Sequence, residues 1–168
     1  METLFLTHPV CRQHDMGQAH PECPERLDAI SDQLLSSGII NYIQTEDVAS
    51  PASDDDLLRV HAPAHLDRLK GWLPAQGFHD IDGDTVMNPH TLEAARYAAG
   101  GVIQAVDAVM AGRATNAFCA VRPPGHHASV ARAMGFCFFN NIAVGIAHAL
   151  ANHGLSRVAI VDFDVHHG

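Results

Sequence analysis

Between residues 117 and 163 an apolar run, a Pro- and Gly-rich loop, a capped helix and a second apolar run follow one another, and this order constrains the fold most. Residues 117–121 read as a buried strand and residues 122–135 as a long loop. Asn140 or Asn141 reads as the cap of a helix reaching about His153, with Gly154 as its stop. Residues 158–163, rich in Val and Ile, read as a second buried strand. Strands joined through a helical crossover are parallel, so the expected class is α/β with a central parallel sheet. Ligands in such sheets sit beyond the carboxyl ends of the strands. Both histidine-rich segments fall there: Gly125-His126-His127 after one strand, Asp164-Val165-His166-His167-Gly168 at the end of the other.

The amino-terminal part fits the same class. Residues 4–7 read as a strand, and a polar loop rich in His, Gly and Pro runs to Pro24. Pro24-Glu25-Arg26 opens a helix carrying Leu27, Ile30, Leu34 and Leu35 at helical spacing, stopped by Gly38. Residues 42–45 are expected to form a second strand. Ser53 caps a helix with three aspartates in its first turn, running to Val60, and Pro63 begins another reaching Trp72. Residues 77–89 read as loop. Residues 91–111 read as a long helix whose small stripe, Ala94, Ala98 and Gly101 among others, can lie close against a sheet. A chain of 168 residues suits one domain, residues 1–168.

The net charge of −9 lacks the basic footprint of a nucleic-acid binder and suits a cationic substrate. The four cysteines form no CxxC pair, as expected of reduced thiols in the cytosol. There is no apolar run of membrane-spanning length and no signal-peptide pattern, so no membrane partner is expected and the cytoplasm is the expected location.

Three segments carry chemistry. In Asp162-Phe163-Asp164-Val165-His166 an extended backbone puts Asp162, Asp164 and His166 on one face. Asp164 and His166 can then hold one cation, zinc or ferrous iron by donor type, with Asp162 behind them. The plainer alternative is a solvated polar strand end, in which two aspartates crowd each other. In Arg122-Pro123-Pro124-Gly125-His126-His127 the prolines and glycine fix a loop that presents two histidines, as a proton-transfer pair requires; surface histidines on a tight turn are the alternative. Gly135-Phe136-Cys137-Phe138-Phe139-Asn140-Asn141 can wall a narrow slot or simply enter the core.

Together with His20-Pro21-Glu22-Cys23-Pro24-Glu25-Arg26-Leu27, these motifs stand in an order and spacing that resemble the histone deacetylase superfamily, which also holds bacterial deacetylase-like amidohydrolases, acetylpolyamine amidohydrolases and acetoin-utilisation proteins. The HPExPxR form is similar to that of the class II branch. The resemblance implies an arginase-like three-layer α/β fold, of which this chain is the amino-terminal portion. It implies zinc-dependent hydrolysis of an acyl-lysine amide. It places Asp164 and His166 as metal ligands, His127 as general base, and His126 as its electrostatic partner oriented by Asp162. Phe136 and Gly135 would line the acyl-lysine tunnel and Cys137 its floor, with Arg26 at the inner pocket and Asp84 as a looser match to a rim carboxylate. Asp162, Asp164 and the backbone of His166 match a structural K+ site.

The family's third metal ligand, an aspartate, and its carbonyl-polarising tyrosine are expected downstream of Gly168; Tyr42 and Tyr97 stand in unsuitable contexts. A truncated, inactive remnant is therefore one alternative expectation, and a deacetylase of acetylpolyamines or other small acyl amides is another. A dimanganese arginase-type hydrolase is disfavoured by the tandem histidines. Homo-oligomerisation is left open.

Overall fold

The computed structural model describes residues 3–168. Its main sheet holds three parallel strands in the order β2-β1-β5, with β1 at Thr3–Thr7, β2 at Ile43–Asp47 and β5 at Asn116–Cys119. Central strand β1 is buried on both faces, which is why it reads as an unbroken apolar run. Leu4 and Leu6 pack with Val48, Ala108 and Ala114 on one side, while Phe5 packs with Leu27 and Val10 on the other. Alternate side chains of one strand thus feed two cores, and helices cover both faces.

Helix α1 (Glu25–Ser36) follows the first loop. Helices α2 (Asp54–Leu58) and α3 (Pro63–Trp72) come next, and Ser53 forms a capping box with Asp56 at the start of α2. The long α4 (Thr91–Met110) puts its small stripe against the sheet: a Cβ on Gly101 would lie 3.1 Å from Val48. Helix α5 (Asn141–Asn152) is capped by Asn140, whose Oδ1 accepts from the Ala143 N–H at 3.0 Å. It crosses α4 at Gly145, where a Cβ would stand 2.4 Å from Val102 Cγ1. Among the described residues no helix is long and apolar enough to cross a membrane.

Three expectations need correction. Residues 77–89 contain a small antiparallel hairpin, β3 (His79–Asp80) with β4 (Val86–Met87), rather than loop alone. Helix α2 ends at Leu58, before Val60. Most consequentially, residues 158–163 form no paired strand among the described residues: Val161 is 85 % and Phe163 96 % exposed. The Val/Ile run has the composition of an interior strand, but burial of such a run requires neighbours on either side, and the described residues supply none.

Several histidines are structural. His14 is buried and takes part in a 2.8 Å hydrogen bond between its Nδ1 and Thr91 Oγ1. Its Nε2 has no hydrogen-bond partner among the described residues, since the Glu22 carboxylate 3.6 Å away is held by Arg122. Burial, followed by the repulsion of Arg122, pushes His14 down to about 3. An unfolded chain binds this proton near the ordinary imidazole value and the folded one does not. Stability therefore falls as pH drops from about 6.5 toward 3, at a steepest slope of about 1.4 kcal/mol per unit. Burial likewise lowers His61 and His65, with the same sign. Urea midpoints should fall between pH 7 and pH 5, and His14→Gln should shrink that fall; an unchanged fall would assign the protonation elsewhere.

Candidate active site

Strands β1 and β5 are neighbours, so the loops leaving their carboxyl ends lie side by side. Arg122 joins them. Its guanidinium is fully buried, pairs with both oxygens of Glu22, and donates to the carbonyls of Cys11 (2.9 Å) and His14 (2.7 Å). A planar fork of donors suits a site where one carboxylate and two carbonyls must be met at once. Arg26 adds a longer contact to Glu22 at 3.5 Å and donates to the Val121 carbonyl at 2.9 Å. It lies at the edge of an apolar groove of about 500 Å³ bordered by Phe5, Ile30 and Phe118.

The Arg122–Asn140 stretch is fixed from behind. His61 Nδ1–H donates to the Ser129 carbonyl (3.0 Å), and its Nε2 accepts from the Asn140 N–H (3.0 Å). His65 Nε2–H donates to the Phe138 carbonyl (2.9 Å). Phe138 and Phe139 enter the core, as one of the two expectations for this run has it, whereas Phe136 stays half-buried.

Met134 and Cys137 pair across a two-residue turn, and both central residues are left-handed: Gly135 at φ +56° and Phe136 at φ +68°. A type I′ turn demands this. For phenylalanine the conformation is strained, at a cost of about 1–2 kcal/mol. Two contacts bear on the turn. A Cβ on Gly135 would lie 2.4 Å from His127 Cδ2, so the imidazole rests against bare backbone. The Phe136 N–H donates to Thr85 Oγ1 at 3.1 Å. The Phe136 ring meets the His20 ring edge-on at 4.7 Å, and His20 Nε2–H donates to the Asp84 carbonyl at 3.0 Å. The exposed Asp84 carboxylate accepts from Thr85 Oγ1 at 2.9 Å. Phe136, His20 and Asp84 thereby gather at one rim.

The two histidine segments meet. The rings of His126 and His127 lie 4.0 Å apart, and His127 and His166 are 6.3 Å apart. Asp162 Oδ2 accepts from His126 Nδ1–H at 3.0 Å. Asp162 Oδ1 accepts the Asp164 N–H at 3.1 Å, and Asp164 Oδ1 accepts the His166 N–H at 2.8 Å. Two successive aspartate turns shape this segment in place of the straight strand end expected. Hydrogen bonds from His126 and from the Asp164 backbone hold the Asp162 carboxyl below the usual range. Those from the His166 backbone and ring do the same for Asp164. Asp164 Oδ1 also lies 3.0 Å from His166 Nδ1, so a carboxylate and an imidazole converge beside the twin histidines. That donor pair fits a divalent cation of the zinc or iron type. Cys137 is buried beneath and burial pushes its thiol up to about 11, which leaves it a neutral packing group. Tyr97 stacks on His8 at 3.8 Å, and Tyr42 precedes β2 at the amino ends of the strands.

Glu22, His14, His61, His65 and Thr85 were not singled out by sequence reasoning. Glu22 and Arg122 sit inside quoted motifs, but nothing in one dimension pairs residues 100 positions apart. Arg122→Met should cost about 3–5 kcal/mol by leaving the Glu22 charge buried and unpaired, and adding Glu22→Met should recover most of it. Urea denaturation of both variants decides; a double variant as unstable as the single would mean that the unpaired charge is not the source of the loss.

The sequence profile of the histone deacetylase domain matches residues 20–168. A histone deacetylase-like amidohydrolase of Pseudomonas aeruginosa is 48% identical over 156 residues, covering 93% of this chain and 40% of that protein. Polyamine deacetylase HDAC10 of Rattus norvegicus is 42% identical over 159 residues, covering 92% and 27%. The crystal structure of the HDA15 HD domain superposes with a TM-score of 0.90 at 35% identity, covering 99% of this chain and 48% of that one. The chain thus spans half or less of these relatives.

Proposed function

Given that the chain belongs to the histone deacetylase family, a family of metal-dependent deacetylases, we propose that the intact protein hydrolyses an acyl-lysine amide with zinc as its metal. The observation that supports this most is the convergence of His126, His127 and Asp162 on the Asp164–His166 donor pair.

Asp164 and His166 would hold the ion, which when bound supplies Lewis acidity toward the acyl carbonyl. Asp162 anchors His126 through Nδ1, fixing the ring's tautomer and position. His127 has no ring hydrogen bond among the described residues, so its nitrogens are available for proton transfer. It takes a proton from the attacking water and later delivers it to the lysine nitrogen as the C–N bond breaks, giving a carboxylate and a free amine. Gly135 leaves the space that His127 occupies, and Phe136 walls the path of the lysine stem. Cys137 closes the floor, and Asp84 accepts N–H groups of the substrate backbone at the rim. Arg26, matched by the resemblance to the inner pocket, would pair with the departing carboxylate. Asp162, Asp164 and the His166 backbone are also proposed to hold a structural K+. The free cysteines suit a cytosolic setting.

The relative named a polyamine deacetylase, together with the −9 charge, supports acetylpolyamines as a second substrate class. Rates on an acetyl-lysine peptide and on acetylspermidine decide between them. In the intact protein His127→Ala should lower kcat/KM by about 10²–10⁴-fold with zinc content unchanged. Deacetylation at the wild-type rate would remove His127 from this role.

A further inference from the structure

Helices α4 and α5 run in the same direction, since Val102 meets Gly145 and, farther along both, Asp107 meets His148. Their carboxyl ends therefore lie together, and the partial negative charge of two helix termini favours a cation there. At that end Asp107 Oδ1 contacts His148 Nε2 and His153 Nε2, each at 2.7 Å, and the three donor atoms lie within 4.8 Å of one another. The structure assigns no part of this cluster to the proposed hydrolytic site, with which it shares no residue.

We propose that Asp107, His148 and His153 form a second metal site, one that takes a divalent transition ion of the zinc type and ties the ends of α4 and α5 together. Two imidazoles and a carboxylate are a sufficient donor set for zinc with one position left to water. Zinc bonds of about 2.0–2.1 Å at tetrahedral angles put donors roughly 3.3 Å apart. The two Asp107–histidine pairs, each at 2.7 Å, need to open by about 0.6 Å as the shared protons give way to the ion.

The surroundings favour this reading over a bare hydrogen-bonded triad. The Asp107 side chain is 45% exposed while that of His148 is 8% exposed, so an ion can enter from solvent and meet a fixed imidazole. The backbone of His153 is fixed too: it caps α5, its N–H donating to the Ala149 carbonyl at 3.2 Å. Asn152 Nδ2 lies 3.2 Å from His148 Nδ1. A half-turn of that amide presents its oxygen to Nδ1–H, which leaves Nε2 free to ligate. The nearby cations are already engaged, Arg59 by Asp56 (2.7 Å) and Arg113 by Glu46 (3.8 Å).

The test reads binding, in the metal-stripped intact protein carrying Asp164→Asn and His166→Gln, so that the hydrolytic site no longer competes. Calorimetric titration with Zn2+ should show one ion bound, Co2+ should give visible absorption bands, and Zn2+ should raise Tm. Adding Asp107→Asn or, separately, His153→Gln should weaken Zn2+ binding at least about tenfold and abolish the rise in Tm. His153 lies at a helix end, so that variant serves if Asp107→Asn disturbs folding, which far-UV circular dichroism reports. Equal Zn2+ binding with and without these changes, or no binding up to about 1 mM, would overturn the proposal.

Discussion

The Arg122–Glu22 ion pair is the constraint on which the candidate site depends. Two loops leave the sheet from adjacent strands, and each needs a fixed path if side chains 100 residues apart are to meet. One guanidinium satisfies the Glu22 carboxylate and two carbonyls of the first loop, and its own backbone begins the second. Desolvating such a pair is expensive, and equal volumes of hydrocarbon would serve stability as well. What hydrocarbon would not supply is direction: the pair sets the position from which Pro123, Pro124 and Gly125 carry His126 and His127 outward. The retained charges are best understood as setting geometry.

Around that pair, polar satisfaction and rigidity go together. His61 and His65 each bond a carbonyl of the second loop, and Asn140 accepts an α5 N–H while its own N–H binds His61. The loop thus has little regular structure and yet few ways to move. The proton-transfer role proposed for His126 and His127 needs such placement, since the reach of a general base is that of one hydrogen bond. The acidic segment is more open and is ordered mainly by its own aspartate turns and by the Asp162–His126 contact.

Much of this was legible in one dimension. Caps at Ser53 and Asn140, the Pro63 start and the small stripe of α4 are local signals, and the structure places those elements within a residue or two of their expected limits. The twin histidines and the Asp162–His166 run were legible as a candidate site because the polar groups of each lie together in sequence, and the structure brings the two runs side by side. Residues 158–163 show a limit of local reading: composition indicates a preference for burial, and burial depends on neighbouring strands, which the described residues do not provide. The Asp107, His148 and His153 cluster shows the converse, since those residues carry no motif and meet only because two helices cross at Gly145.

The left-handed backbone at Phe136 has a consequence for how this position tolerates chemical variation. Its φ of +68° aims the ring by the handedness of the main chain, so exchanging one L-residue for another alters the side chain but not its heading. A D-amino acid would find the same torsion relaxed. Mirror-image substitution by semisynthesis is therefore a route to change the energy of this turn while leaving its shape alone.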